Sequence, residues 1–235
     1  MSGWTAKRFW KAASVEEIPD GHAVRLDGRP VKTPAKAALV LPTRAMAEAV
    51  AAEWDAQTGV VKPASMPVTR AANSAIDKVA VQFDEVAGLL CAYGGSDLLC
   101  YRAMGPAALI RRQEAAWDPL LHWSSEALGA PLHATRGVAY VDQPEQSLSR
   151  LSARITALTP FQLAAVHDLI AISGSLVLAL AVIDRRLSLD AAWVISRVDE
   201  TWQAEQWGED EDAAAQEALR RQGFEQAGRF FALCG

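Results

Sequence analysis

Fifteen consecutive residues, Leu169 to Ile183, carry no charge, and only Ser173, Gly174 and Ser175 among them are not plainly apolar. A helix that is apolar all round must be enclosed by other elements. This one is too short to cross the ~30 Å of hydrocarbon in a bilayer, and His167-Asp168 flanks it with polar groups. It is therefore expected at the centre of a helical domain, where its small residues let a neighbouring helix approach closely.

The rest of the chain supplies the enclosing helices. Ile76, Val79, Ala80, Phe83, Val86, Ala87 and Leu90 recur at three- and four-residue steps, an apolar stripe that Gly94-Gly95 ends. Further helices are predicted at Pro106 to about Leu128, Glu145–Leu158, Pro160–Ile183, Ser188–Trp207, and from about Glu211 towards Phe231. Gly137 to Val141 reads as a short strand or an extended connection. The first sixty-odd residues differ: His22 to Leu26 alternates, Asp27-Gly28 is a hairpin signal, Pro30 to Pro34 can return, and Ala38 to Leu41 is a third strand. Thr43 then caps a helix to about Gln57, with Met46, Val50 and Trp54 on one face. These patterns predict an α+β protein with a small N-terminal β-rich module, residues 1–67, and a larger all-helical domain, residues 68–235. The boundary is placed near Pro63–Pro67.

Charge divides the same way. Residues 1–78 hold six Lys and five Arg against eight acids, or +3, whereas 79–235 hold twelve Arg against twenty acids, or −8. The total of −5 offers no phosphate-neutralising surface, so nucleic acid is an unexpected partner. Cys91, Cys100 and Cys234 form an odd set without C-x-x-C, which fits a reducing compartment. Met1 to Trp10 has no apolar core and no transit-peptide pattern, so the expected address is the cytoplasm, without membrane insertion.

Catalytic signatures are missing. His22, His122, His133 and His167 form no i, i+4 pair and no H-E-x-x-H, so no local metal site is expected. No phosphate-binding glycine loop occurs, nor any G-x-S-x-G around Ser96 or Ser175. Glu209-Asp210-Glu211-Asp212 lacks the internal Gly and terminal Glu of a calcium loop. Gly94-Gly95-Ser96-Asp97 reads as a tight turn or an anion nest. His167-Asp168 is the remaining catalytic candidate, and with Arg102 it defines the alternative reading, a small helical-bundle enzyme or ligand-binding protein. Arg102 is otherwise expected in a structural ion pair.

Tryptophan is over-represented, eight against three Tyr and six Phe, and Trp is favoured at protein–protein hot spots. Trp54 and Trp117 fall on apolar stripes. Trp202 and Trp207 lie in Asp199 to Asp212, which has seven acids and no base. On a helix, Glu200, Gln203 and Trp207 form one polar-aromatic stripe, which Glu211 joins if the helix continues through Gly208. Ala191, Val194, Ile195, Val198 and Trp202 are expected on the opposite, core side. Recognition of a basic or apolar protein surface and a solvated helix with Trp207 tucked under a neighbour both remain open on these residues.

At this point the sequence resembles the family of assembly chaperones that bind the alpha subunit of the F(1) sector of ATP synthase. The resemblance rests on Lys7-Arg8-Phe9-Trp10, Leu26 to Pro34, Glu53-Trp54, Met66-Pro67, Thr69 with Asn73 and Asp77, Asp97 to Arg102, Gln113 with Trp117-Asp118-Pro119, Gly174-Ser175, and Glu200 with Gln203, Trp207-Gly208 and Glu211. It implies a two-domain protein without enzymatic activity or cofactor that holds unassembled alpha subunit soluble until beta replaces it. The partner-binding residues it implies are Glu200, Gln203, Trp207, Gly208 and Glu211. Where the family pattern has a His-Asp pair after Glu211, this chain has Ala214-Ala215, so the downstream end of the motif is expected to contribute little. Eukaryotic members act in the mitochondrial matrix; the short N-terminus points to a bacterial, cytoplasmic member.

Overall fold

A computed structural model describes residues 7–208 and 210–235. Met1 to Ala6, part of the targeting argument, and Glu209 of the acidic run lie outside the described residues. The chain divides into two compact units. The first takes in the described residues up to Phe83 together with 159–165 and 229–235, and the second takes in 84–158 and 166–228.

The first unit is built on an antiparallel sheet of β1 (Ala13–Ile18), β2 (Gly21–Leu26), β3 (Arg29–Pro30) and β4 (Val40–Leu41), with β2 pairing all three others. The expected hairpin is present: Leu26 faces Arg29 across Asp27 and Gly28, whose φ values of 46° and 82° make the mirror-image turn that matches strand twist. The Asp27 carboxylate also accepts from the Lys11 and Ala12 amides, which holds its pKa below the ordinary range. Strand β1 had no sequence signal, because the adjacent exposed Glu16-Glu17 breaks the alternation of an edge strand.

Helix α1 (Arg44–Asp55) buries Met46, Val50 and Trp54, the stripe predicted from their spacing. Thr43 Oγ1 accepts from the Met46 amide at 3.1 Å and donates to the Leu233 carbonyl. Thr43→Ala is therefore expected to cost about 1 kcal/mol, with Thr43→Ser close to wild type in thermal melts; equal stability of all three would remove the cap from the account.

Helix α2 (Pro67–Ser74) runs into one wide turn, Ala75–Val79, before α3 (Phe83–Ala92) begins. The predicted stripe is thus interrupted at 80–82. There the Ala80 amide reaches back five residues to the Ala75 carbonyl, while the Asp77 carboxylate accepts from the Ala35 amide. Met66 and Ala72 share an apolar core with Trp10 and Trp54, so the first unit extends past the boundary read near Pro63–Pro67. Phe230 completes that core and stacks on Phe161, with ring centroids 6.4 Å apart.

The second unit contains α4 (Ala107–Leu128), α5 (Glu145–Thr156), most of α6 (Pro160–Ser173), α7 (Leu176–Ile183), α8 (Leu189–Ser196), α9 (Val198–Trp207) and most of α10 (Glu211–Ala232). Leu176 to Ala181 are fully enclosed, as an all-apolar helix must be. Two predicted helices are each divided. Pro160–Ile183 breaks at Gly174, where φ is 74° and Ser175 caps a new helix by accepting from the Leu178 amide. Ser188–Trp207 breaks at Arg197. A two-stranded parallel pair of β5 (Tyr101–Arg102) and β6 (Thr135–Arg136) is also present. Gly137 to Val141 is not a strand: it opens with a turn at Gly137, φ 78°, and continues as an irregular connection, with Val138 and Tyr140 exposed. Among the described residues no helix is long and apolar enough to cross a membrane.

Candidate functional site

Most of the polar residues singled out in the second unit's sequence form a scaffold. Asp97 is completely buried; its Oδ1 accepts from the Leu99 amide and the Ser175 hydroxyl, and its Oδ2 from the Val177 amide. The Gly94 to Asp97 segment is thus a turn whose carboxylate caps α7, since an acid at that position would repel an anion rather than bind one. Arg102, also buried, stacks on Trp117, donates to the Leu99 carbonyl and pairs with Asp118 at 2.7 Å, the ion pair expected of it. From α4, Gln113 donates to Asp199 at 2.7 Å and accepts from the Ala103 amide, while the Trp117 indole donates to the Ile195 carbonyl.

These contacts anchor the start of α9. At the break before it, the buried Arg197 lies over Trp193, donates to the Ile172 carbonyl and pairs with Glu200 Oε1 at 2.9 Å. Arg112 grips Glu205 with two nitrogens, each 2.9 Å from its oxygen, and covers the Trp202 ring. That fork holds Glu205 below the usual carboxylate range and pushes Arg112 further up. Neither Arg197 nor Arg112 was singled out from the sequence, although Arg197 is the last base before the acid-rich run and was legible as such.

The outer side of this anchored helix faces solvent. Glu200 and Gln203 are exposed, as are all residues from Gln203 to Gly208, and Trp207 is 78% exposed. Trp207 is thus an outward-facing ring rather than one tucked under a neighbour. The stripe stops there. Gly208, with φ 89° and ψ 163°, occupies backbone space that only glycine adopts readily, and its amide closes the helix on the Ala204 carbonyl. Glu211 therefore starts α10 instead of extending the α9 stripe, which corrects the reading through Gly208. On the opposite side Val198 is buried as expected, but Val194 is 65% exposed. The turn taken at Arg197 leaves Val194 beside a cleft of about 300 Å³ shared with Ala116, Ile195 and Val198.

The residues of the enzyme reading are not gathered together. His167 and Asp168 are both exposed, joined to each other at 2.9 Å, and Asp168 raises the His167 pKa. Arg102 lines a different, open cleft of about 170 Å³ with Glu114, Asp118 and Arg136. Burial pushes the Cys100 thiol up to about 12, far from a thiolate nucleophile. Among the described residues no group of three His, Cys, Asp or Glu side chains could hold a metal ion.

Solved structures similar to this chain cover nearly all of it. The family profile of the ATP12 chaperone protein matches residues 7–125. The crystal structure of Atp12 from Paracoccus denitrificans is 49% identical, covers 98% of this chain and 99% of its own, and superposes with a TM-score of 0.96. A solved chaperone candidate from Agrobacterium tumefaciens is 41% identical over 97% of this chain and 86% of its own, with a TM-score of 0.92. The mitochondrial protein atp12 of Schizosaccharomyces pombe is 25% identical over 220 residues, 88% of this chain and 75% of that protein. This chain belongs to the ATP12 chaperone family.

Proposed function

We propose that this protein binds the unassembled alpha subunit of the F(1) sector of ATP synthase and keeps it soluble until it pairs with beta. It acts in the cytoplasm as a holding chaperone, with no catalytic turnover and no cofactor. The partner-binding residues are Glu200, Gln203, Trp207, Gly208 and Glu211. The observation that carries this reading is Trp207, a large aromatic ring presented to solvent at the end of a helix whose start is tied down by Arg197 and Gln113 and whose last turn is gripped by Arg112 through Glu205. Rigid placement of an exposed aromatic suits an interface anchor, because little side-chain entropy remains to be lost on binding. Gly208 and Glu211 contribute by setting where α9 stops and α10 starts.

Light scattering during refolding of isolated alpha subunit tests the proposal. Molar excess of this protein is expected to suppress scattering without nucleotide, and titrating in beta subunit should release alpha. Undiminished scattering, or suppression only with ATP hydrolysis by this chain, would end the reading.

A further inference from the structure

Helix α10 is two helices in its environment. Its second half is anchored: Phe224 is fully buried against Trp193 at 5.8 Å, and Ala227 and Gly228 are buried beside it. Its first ten residues, Glu211 to Arg220, bury nothing; only Ala214 and Glu217 are even partly covered. A segment of that length is marginal as an isolated helix in water. Here the anchored half extends it, Ala, Glu, Gln, Leu and Arg favour it, and Asp210 caps it by accepting from the Asp212 amide at 3.0 Å. Glu211 and Asp212 further suit the positive end of the helix dipole. The chain thus spends strong helix-forming sequence on a segment that contributes nothing to its own core.

The outer side of this arm is patterned. Ala215, Ala218, Leu219 and Gln222 follow Glu211 by four, seven, eight and eleven residues, one stripe on the side opposite Phe224. Leu219 is 68% exposed on it, flanked by two alanines small enough to allow close approach. Its charge specifies the occupant. Residues 198–219 contain eight acids and no Lys or Arg. Asp199, Glu200 and Glu205 are engaged by Gln113, Arg197 and Arg112, whereas Glu211, Asp212 and Glu217 make no ion pair among the described residues. Glu217 lies on the covered side near Phe224, but Glu211 heads the stripe and Asp212 lies beside it, and an apolar stripe with these unneutralised acids is complementary to an apolar groove rimmed by Lys or Arg.

We infer that the first half of α10 is a docking arm that lays the Ala215, Ala218 and Leu219 stripe into a basic-rimmed apolar groove of the alpha subunit, a contact that rests on the function proposed above and adds a second element to the α9 face.

Full-length chain carrying Ala215→Arg with Ala218→Arg tests this, since Arg is a strong helix former that is bulky and cancels the local negative charge. Leu219→Ala is the milder companion, removing the anchor alone. Titration against soluble alpha subunit is expected to show at least ~10-fold weaker binding for the double variant and a smaller loss for Leu219→Ala, with helical circular dichroism and melting unchanged. Wild-type affinity in both variants would overturn the arm while leaving the α9 reading intact. If wild-type protein itself captures no alpha subunit, the proposed function falls and the arm with it. Sedimentation that shows a wild-type dimer dissolved by the double variant would make the stripe a self-contact, which also overturns the inference.

Discussion

Trp207→Ala is expected to weaken capture of alpha subunit by about 30-fold, roughly 2 kcal/mol, while shifting stability by no more than about 0.5 kcal/mol. The separation of the two effects follows from the exposure of the ring: at 78% exposed it adds little to the fold, so its loss costs only what a partner would have gained. Isothermal titration gives the first number and thermal melting the second. A collapsed melt would make Trp207 structural, and unchanged affinity would remove the α9 face from the proposal. Glu200→Lys is a less clean probe of the same face. Glu200 pairs with the buried Arg197, so a lysine there sets two positive charges together and costs stability before any partner is involved. Gln203→Lys changes the charge of the stripe without that side effect.

Asp97→Ala is expected to be strongly destabilising, about 3 kcal/mol or more by urea denaturation. It strands three buried donors, the Leu99 and Val177 amides and the Ser175 hydroxyl, and each stranded donor costs about 1–3 kcal/mol. The loss should depend on pH with a definite sign. Burial raises the Asp97 pKa, and the bonds from Val177, Ser175 and Leu99 oppose that rise without cancelling it. A raised carboxyl stabilises the fold fully below its unfolded pKa of about 3.9, and that contribution fades as pH climbs through the folded value. The wild-type advantage over Asp97→Ala should therefore be greatest in acid and shrink toward neutrality; an advantage that grows with pH would contradict the assignment.

How much of this was legible in the sequence depended on whether a residue's role is local. The Asp27-Gly28 turn, the Thr43 cap, the Met46, Val50 and Trp54 stripe and the enclosed Leu176 to Ala181 segment are consequences of neighbours within a few positions, and the chain shows each of them. The breaks at Gly174 and Arg197 are not. Each is stabilised by a partner far along the chain: Asp97 closes the first across 78 residues to Ser175, and the Ile172 carbonyl receives Arg197 across 25. For the candidate site, helical offsets were enough to place Glu200, Gln203 and Trp207 on one stripe but not to say whether Trp207 was exposed or tucked under a neighbour. They could not reveal that Val194 faces solvent, because that depends on the turn at Arg197.

Phe230 belongs to a core whose large members Trp10, Met46 and Trp54 are made 176 to 220 residues earlier. During synthesis the chain emerges from its N-terminus, at about 5–20 residues per second. The sheet and α1 of the first unit can form early, yet their apolar face stays incompletely covered until Phe161 and then Phe230 arrive. For those seconds the nascent chain exposes the kind of surface it is proposed to shield on another protein. Its own maturation ends with the sealing of that core.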